Sequence, residues 1–216
     1  MSTVVLVGFS TTGKSTILRE IENQYGNLVK TIDTDEVIAR EWGNHIFNIY
    51  LDLVEGRERN KAIKYIKKRE EEILGGFVAE QNPCLIAAGP GLPLRKEDWA
   101  AFLNRVKPVC IFLKMSADQI YYGLIKRRAK HQQIESIVSK NAFGSWDEGV
   151  ITRFCDGKWV PVDPEDAIAN IQKLLDERLE FYPKDAEVID AAELRNKDGA
   201  VYKKFYKCLA NYLGGV

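Results

Sequence analysis

Residues 8–15 have the types and spacing of a phosphate cradle: Gly8-Phe9-Ser10-Thr11-Thr12-Gly13-Lys14-Ser15. The pattern G-x-x-x-x-G-K-[ST] aims backbone N–H groups and a helix N-terminus at the phosphate tail of a nucleoside triphosphate. Gly8, Ser10, Thr11, Thr12, Gly13 and Thr16 would line the phosphates. Lys14 would reach the β- and γ-phosphates, and Ser15 would present its hydroxyl to Mg²⁺. A second candidate pair is Asp33 and Asp35. Two carboxylates that close in spacing, at the end of a strand, project to one side. Asp33 could help hold Mg²⁺ through water, and Asp35 could take a hydroxyl proton or bind a polyol. The competing use is a solvated turn in which one aspartate caps a helix.

These groups need a scaffold. Apolar runs at Val4–Val7, Leu28–Ile32, Pro83–Ala88, Val109–Leu113 and Glu187–Asp190 read as strands. Near-continuous apolar runs suit parallel strands covered on both faces. Helical patterns alternate with them near 15–24, 57–80, 96–105, 117–131, 164–178 and 198–213. Alternation of this kind predicts a three-layer α/β fold around a five-stranded parallel sheet, with ligands at the carboxyl ends of the strands. The segment near 132–162 fits no strand of that sheet, yet it carries Trp146, Phe154 and Trp159. A disordered linker would avoid those aromatics. An ordered insertion or lid is expected over about 129–162, within a single domain spanning 1–216.

The chain has 31 Lys plus Arg against 31 Asp plus Glu, so no net basic field points to nucleic acid. No secretory signal or membrane-length apolar run is evident, and a cytoplasmic protein is expected. Cys84, Cys110, Cys155 and Cys208 form no C-x-x-C, and His45 and His131 keep no ligand spacing to them. Buried thiols in a reducing compartment are expected rather than zinc.

Gly8–Thr16 followed by Asp33-Thr34-Asp35-x-x-Ile38 resembles the shikimate kinase family. Weaker matches continue along the chain. Ile66-Lys67-Lys68-Arg69-Glu70 answers to the family's F-R-x-x-E segment, Gly89-Pro90-Gly91 to its glycine-rich turn, and Arg178-x-x-x-Tyr182 to its R-x-x-x-Y. The resemblance implies a P-loop kinase fold and transfer of phosphate from MgATP to a hydroxyl of shikimate or a related cyclic polyol or sugar acid. It implies that Asp35, Lys67, Gly89, Pro90, Gly91 and Arg178 hold the acceptor. Lid cations would meet the phosphates, and Arg127 and Arg153 are the candidates.

Three departures bear on specificity. Lys67 stands where the family has arginine, and a lysine cannot form the bidentate fork to a carboxylate. Pro90 removes a backbone N–H from the turn. The insertion is longer than the family's lid. Alternative readings are a nucleotide-binding regulatory protein without turnover, or a kinase acting on a nucleotide or macromolecule. The sequence leaves the oligomeric state open.

Overall fold

Val4, Val5, Leu6 and Val7 are all at most 1% exposed, so the first strand, β1 (Thr3–Gly8), is covered on both faces. The computed structural model describes residues 2–43, 59–77, 83–89, 96–134, 152–155, 158–180 and 182–215. After β1 come α1 (Lys14–Tyr25), β2 (Lys30–Asp33), α2 (Thr34–Trp42), α3 (Arg59–Gly76), β3 (Cys84–Ala87), α4 (Lys96–Val106) and β4 (Val109–Lys114). Then follow α5 (Ala117–Ile134), β5 (Thr152–Cys155), β6 (Lys158–Pro161), α6 (Pro164–Leu179), β7 (Glu187–Asp190) and α7 (Ala200–Tyr212).

Five strands form one parallel sheet in the order β2-β3-β1-β4-β7. Side-chain alternation splits the core into two layers. Val4 and Leu6 point with Leu85, Ile111 and Leu113 toward α1, α5, α6 and α7. Val5 and Val7 point with Cys84, Ile86 and Phe112 toward Leu74 of α3 and Trp99 and Phe102 of α4. Each buried aliphatic or aromatic side chain contributes about 1.5–3 kcal/mol, so these two layers hold the sheet rigid beneath the loops at its carboxyl end. From β1 the chain passes to β2 on the β3 side of the sheet, and from β3 it crosses β1 to reach β4 on the other side. That reversal opens a crevice above β1, where α/β sheets bind ligands.

Three details differ from expectation. The helix α2 begins directly at Thr34, so Asp35 lies in a first helical turn and not on a strand end. Capping by Asp33 outcompetes extension of β2. Within the expected insertion, β5 and β6 pair antiparallel as a separate two-stranded sheet, with Phe154 opposite Trp159. Finally, α5 continues to Ile134, past the expected start of the insertion near 129.

Candidate active site

The phosphate loop runs from the end of β1 into α1 and needs glycine at both ends. Gly13 adopts φ 92 as it caps α1, a region that side chains disfavour. Gly8 has φ 153, and a Cβ there would come within 2.7 Å of the Leu113 carbonyl oxygen. Between them, Thr12 Oγ1 donates to the Phe9 carbonyl at 2.9 Å and closes the loop on itself. Lys14 is only 8% exposed. Its Nζ donates to the Gly8 and Phe9 carbonyls at 2.8 and 3.0 Å. An ammonium has three N–H donors, so one remains for a phosphate oxygen. Burial lowers its pKa to about 8, with Asp35 and Asp33 pulling the other way and Arg178 adding to the depression. A polyanionic ligand would supply the countercharge that favours the ammonium.

The cleft over this loop has a volume of about 280 Å³ and brings Lys14, Ser15 and Thr16 together with Asp33 and Asp35. Both aspartates reach it, by a different route from strand alternation. Asp33 ends β2 and caps α2, its Oδ1 accepting from the Asp35 and Glu36 backbone N–H groups at 3.1 and 3.4 Å. One carboxylate oxygen is thereby committed and the other remains. Asp35 sits in the first turn, where the helix dipole favours its negative charge.

Capping turns Thr34 inward, where it is 0% exposed. Its hydroxyl meets Glu70 Oε1 at 2.8 Å, and Gly89 N–H donates to the same Glu70 oxygen at 2.7 Å and to Thr34 Oγ1 at 2.9 Å. Three elements, α2, α3 and the end of β3, thus meet on one carboxyl group. Glu70 is 2% exposed, and burial, then the Asp35 charge, push its pKa up to about 7. Gly89 fits only because it has no side chain. A Cβ there would run into Glu70 Oε1 and approach Asp35 Oδ1 to 3.0 Å.

Arg178, near the end of α6, completes the group. Its guanidinium carbon lies 4.5 Å from the centroid of the Phe9 ring, a cation–π contact from the phosphate loop itself. Burial holds its pKa below the usual arginine value, partly offset by Tyr182, Glu70 and Glu177. Tyr182 is pushed up to about 12, chiefly by burial. The Arg178 Nη1 is buried and lacks a hydrogen-bond partner among the described residues. An unsatisfied buried guanidinium N–H is costly, and a carboxylate is the group that best satisfies it.

The sequence model of the shikimate kinase family matches residues 10–140. The chain belongs to the shikimate kinase family. It is 29% identical over 140 residues to the shikimate kinase of Helicobacter hepaticus, covering 65% of this chain and 74% of that one. To the shikimate kinase of Francisella tularensis subsp. novicida it is 32% identical over 116 residues, 54% of this chain and 59% of the other. In fold it resembles shikimate kinase from Bacteroides thetaiotaomicron, with TM-score 0.59, 17% identity and 98% of both chains covered. A shikimate kinase from Acinetobacter baumannii, solved in complex with shikimate, superposes with TM-score 0.57 and 18% identity over 99% of this chain and 93% of that one. The fold is therefore that of a P-loop kinase. The family is one of ATP-dependent phosphotransferases that act on a hydroxyl of a small molecule, and this chain is one of them.

The cleft gathers eight of the predicted residues: Ser10, Thr11, Gly13, Lys14, Ser15, Thr16, Asp33 and Asp35 line it. Gly89 and Arg178 do not line it: Gly89 bonds to Glu70, and Arg178 packs on Phe9 of the phosphate loop. Pro90 and Gly91 lie outside the described residues, as do the side chains of Lys67, Arg127 and Arg153, whose backbones belong to α3, α5 and β5. Arg69 turns away from the cleft and pairs with Glu41 of α2 at 2.6 Å and with Glu72. Two residues fall inside the quoted motifs without a role assigned to them there. Thr34 is the middle residue of Asp33-Thr34-Asp35, and Glu70 lies in a run that reads as a charged helix face. Glu70 has a signal of its own. It falls four residues after Ile66 and four before Leu74, both buried, so it sits on the apolar stripe of α3.

Proposed function

We propose that the chain transfers the γ-phosphoryl group of ATP to a hydroxyl of a small cyclic acid, shikimate or a close relative, with the acceptor seated between Asp35, Gly89 and Arg178. One observation carries this reading: a buried guanidinium with an unsatisfied N–H packs on Phe9 of the phosphate loop, and the Asp35 carboxylate lines the cleft over that same loop. The arginine supplies an anchor for an acid. The aspartate supplies an acceptor for the proton that leaves a hydroxyl. Shikimate carries both groups, and a relative in the family is known in complex with it.

In this reading Lys14 binds the β- and γ-phosphate oxygens as its burial is compensated by their charge. Asp35 orients the acceptor hydroxyl toward the γ-phosphorus and takes its proton as the bond forms. Arg178 and the Gly89 turn fix the acceptor's other end, so the rate gain comes from alignment and electrostatics. The oxygen donors Ser15 and Asp33 share the cleft and suit Mg²⁺, which binds a few protein oxygens and keeps its remaining positions for water and phosphate. When bound, Mg²⁺ would neutralise phosphate charge. The insertion, with Arg127 at its approach and Arg153 within it, is read as a lid over the acceptor, and the whole chain as one domain. Cytoplasmic residence belongs to the same reading, supported by the free thiols Cys110 and Cys208.

Lys67 at the position where the resemblance calls for arginine favours some relaxation toward related acids. The test is ADP release by the purified protein with MgATP and, in turn, shikimate, the cyclic hydroxy acid quinate and the uncharged cyclic polyol inositol. Turnover with one of the acids and none with inositol is expected. Equal turnover with inositol, or none with any of the three, would overturn the proposal.

A further inference from the structure

Thr11 is the strained residue of the phosphate loop. Its φ is 71, and it is one of two non-glycine residues with positive φ among those described. A β-branched side chain in that region is a true outlier, held only where the surroundings over-determine it. Its hydroxyl is buried and has no hydrogen-bond partner among the described residues, whereas the neighbouring Thr12 hydroxyl is satisfied within the loop. What surrounds Thr11 is α5, at Gly123. A Cβ placed on Gly123 would lie 2.7 Å from Thr11 Oγ1, 3.0 Å from its Cβ and 3.4 Å from its Cγ2. Rotating the threonine cannot clear this contact, because its Cβ is involved as well as its tip. Nor can α5 yield easily. Ile120 and Leu124, on either side of Gly123, are 0% and 4% exposed in the core. The start of α5 is pinned by a reciprocal capping box, Gln119 N–H to Ser116 Oγ at 3.3 Å and Ser116 N–H to Gln119 Oε1 at 3.0 Å.

We propose that Gly123 is a positioning residue for nucleotide binding: its missing side chain leaves the room in which Thr11 takes its strained backbone and holds the phosphate loop in shape. Gly123 is absent from the residues that line the cleft, so it acts through Thr11. It also makes α5, the helix that leads toward the insertion, a direct support of the phosphate loop. The inference rests on the reading of Gly8–Ser15 as the ATP site.

The test is a double-mutant cycle read by calorimetry, with a Mg²⁺-bound non-hydrolysable ATP analogue as the probe. Gly123→Ala should weaken binding on the order of tenfold or more, since small misplacements of a preorganised site carry effects of that size. In the Thr11→Gly background, which removes every atom that the new methyl meets, the same Gly123→Ala change should shift affinity less than about twofold. A lowered melting temperature alone would not reproduce this dependence on residue 11. Unchanged affinity in Gly123→Ala, or an equal loss in both backgrounds, would overturn the inference. Should Gly123→Ala fail to fold, folding and binding by Thr11→Gly/Gly123→Ala would support the contact, and failure of both to fold would overturn it. Lys14→Ala measured alongside separates the two levels. If it binds the analogue as the wild type does, the ATP-site reading itself falls. If it loses binding while Gly123→Ala does not, only the role of Gly123 falls.

Discussion

The two ends of the cleft are built on opposite principles. The phosphate end comes from one contiguous stretch, Gly8–Thr16, whose shape is set by backbone conformation and by glycines at φ 153 and 92. The proposed acceptor end is assembled from Asp35 of α2, Glu70 of α3, Gly89 after β3 and Arg178 of α6, residues spread over most of the chain. The first is a local device that any strand-loop-helix can carry. The second exists only when the sheet and three helices are in place. It also holds the more unusual chemistry: a buried carboxyl group with its pKa near 7 and a buried guanidinium with a spare N–H. In the proposed reading, ATP use rests on a motif and the choice of acceptor on the tertiary structure.

If that contrast is sound, variants of the two ends should separate binding from turnover. The largest effect is expected at the junction. Asp35→Asn should lower kcat by about 10²–10⁴-fold, the range for loss of a positioned base, with the KM for ATP changed little. A KM for ATP that rises as much as kcat falls would place Asp35 in the phosphate site instead. Gly89→Ala comes next. Its methyl would displace Glu70 and crowd Asp35, and overpacking of this kind costs about 1–3 kcal/mol. A lower denaturation midpoint and weaker acceptor binding are expected, with nucleotide affinity retained. An unaffected midpoint would mean that Gly89 can move away at no cost.

The smallest effect is a pH dependence. In the folded chain Glu70 keeps its proton up to about pH 7, whereas in the unfolded chain it loses it near 4.5. The native state therefore binds more protons between those values, and the contribution of Glu70 to stability falls as pH rises through that window. Glu70→Gln resembles the protonated form and should remove this term. The stability of the mutant relative to wild type should be level below pH 4.5 and increase toward pH 7, by on the order of 3 kcal/mol at most. Asp35, Lys14 and Arg178 face Glu70 as well, but the pKa of Lys14, lowered to about 8, lies above the window. A difference between the two proteins that does not change with pH would contradict the assignment.

The same contrast explains what the sequence discloses. The phosphate end is legible because every group belongs to one motif with its strand and helix attached. The sheet is legible because its central strands β1, β3 and β4 are apolar and almost wholly buried, whereas the half-exposed edge strands β2 and β7 show only as short mixed runs. The α2 helix is harder to see. Asp33, Thr34, Asp35 and Glu36 are weak helix formers or surface types, and the deciding fact is a cap made by Asp33 onto Asp35 and Glu36. The capping alternative for an aspartate at this position is the one the chain adopts. The antiparallel β5–β6 pair carries a sequence signal in Asp156-Gly157, a dipeptide that favours tight turns, between its two segments. Glu70 and Thr34 are the least legible, because a carboxylate in a run of Lys, Arg and Glu reads as solvated until its place on the apolar stripe is noticed. The partners that make them informative, Gly89 and Arg178, lie 19 and 108 residues from Glu70 along the chain.

The separation of the two ends is tested most directly by steady-state kinetics of Arg178→Ala, with MgATP and shikimate varied in turn. Loss of a buried charge-assisted anchor should raise the KM for shikimate by on the order of tenfold or more, while the KM for ATP stays within about twofold. Comparable losses for both substrates would show that Arg178 serves the phosphate loop through Phe9, and the division of the cleft into two ends would be wrong.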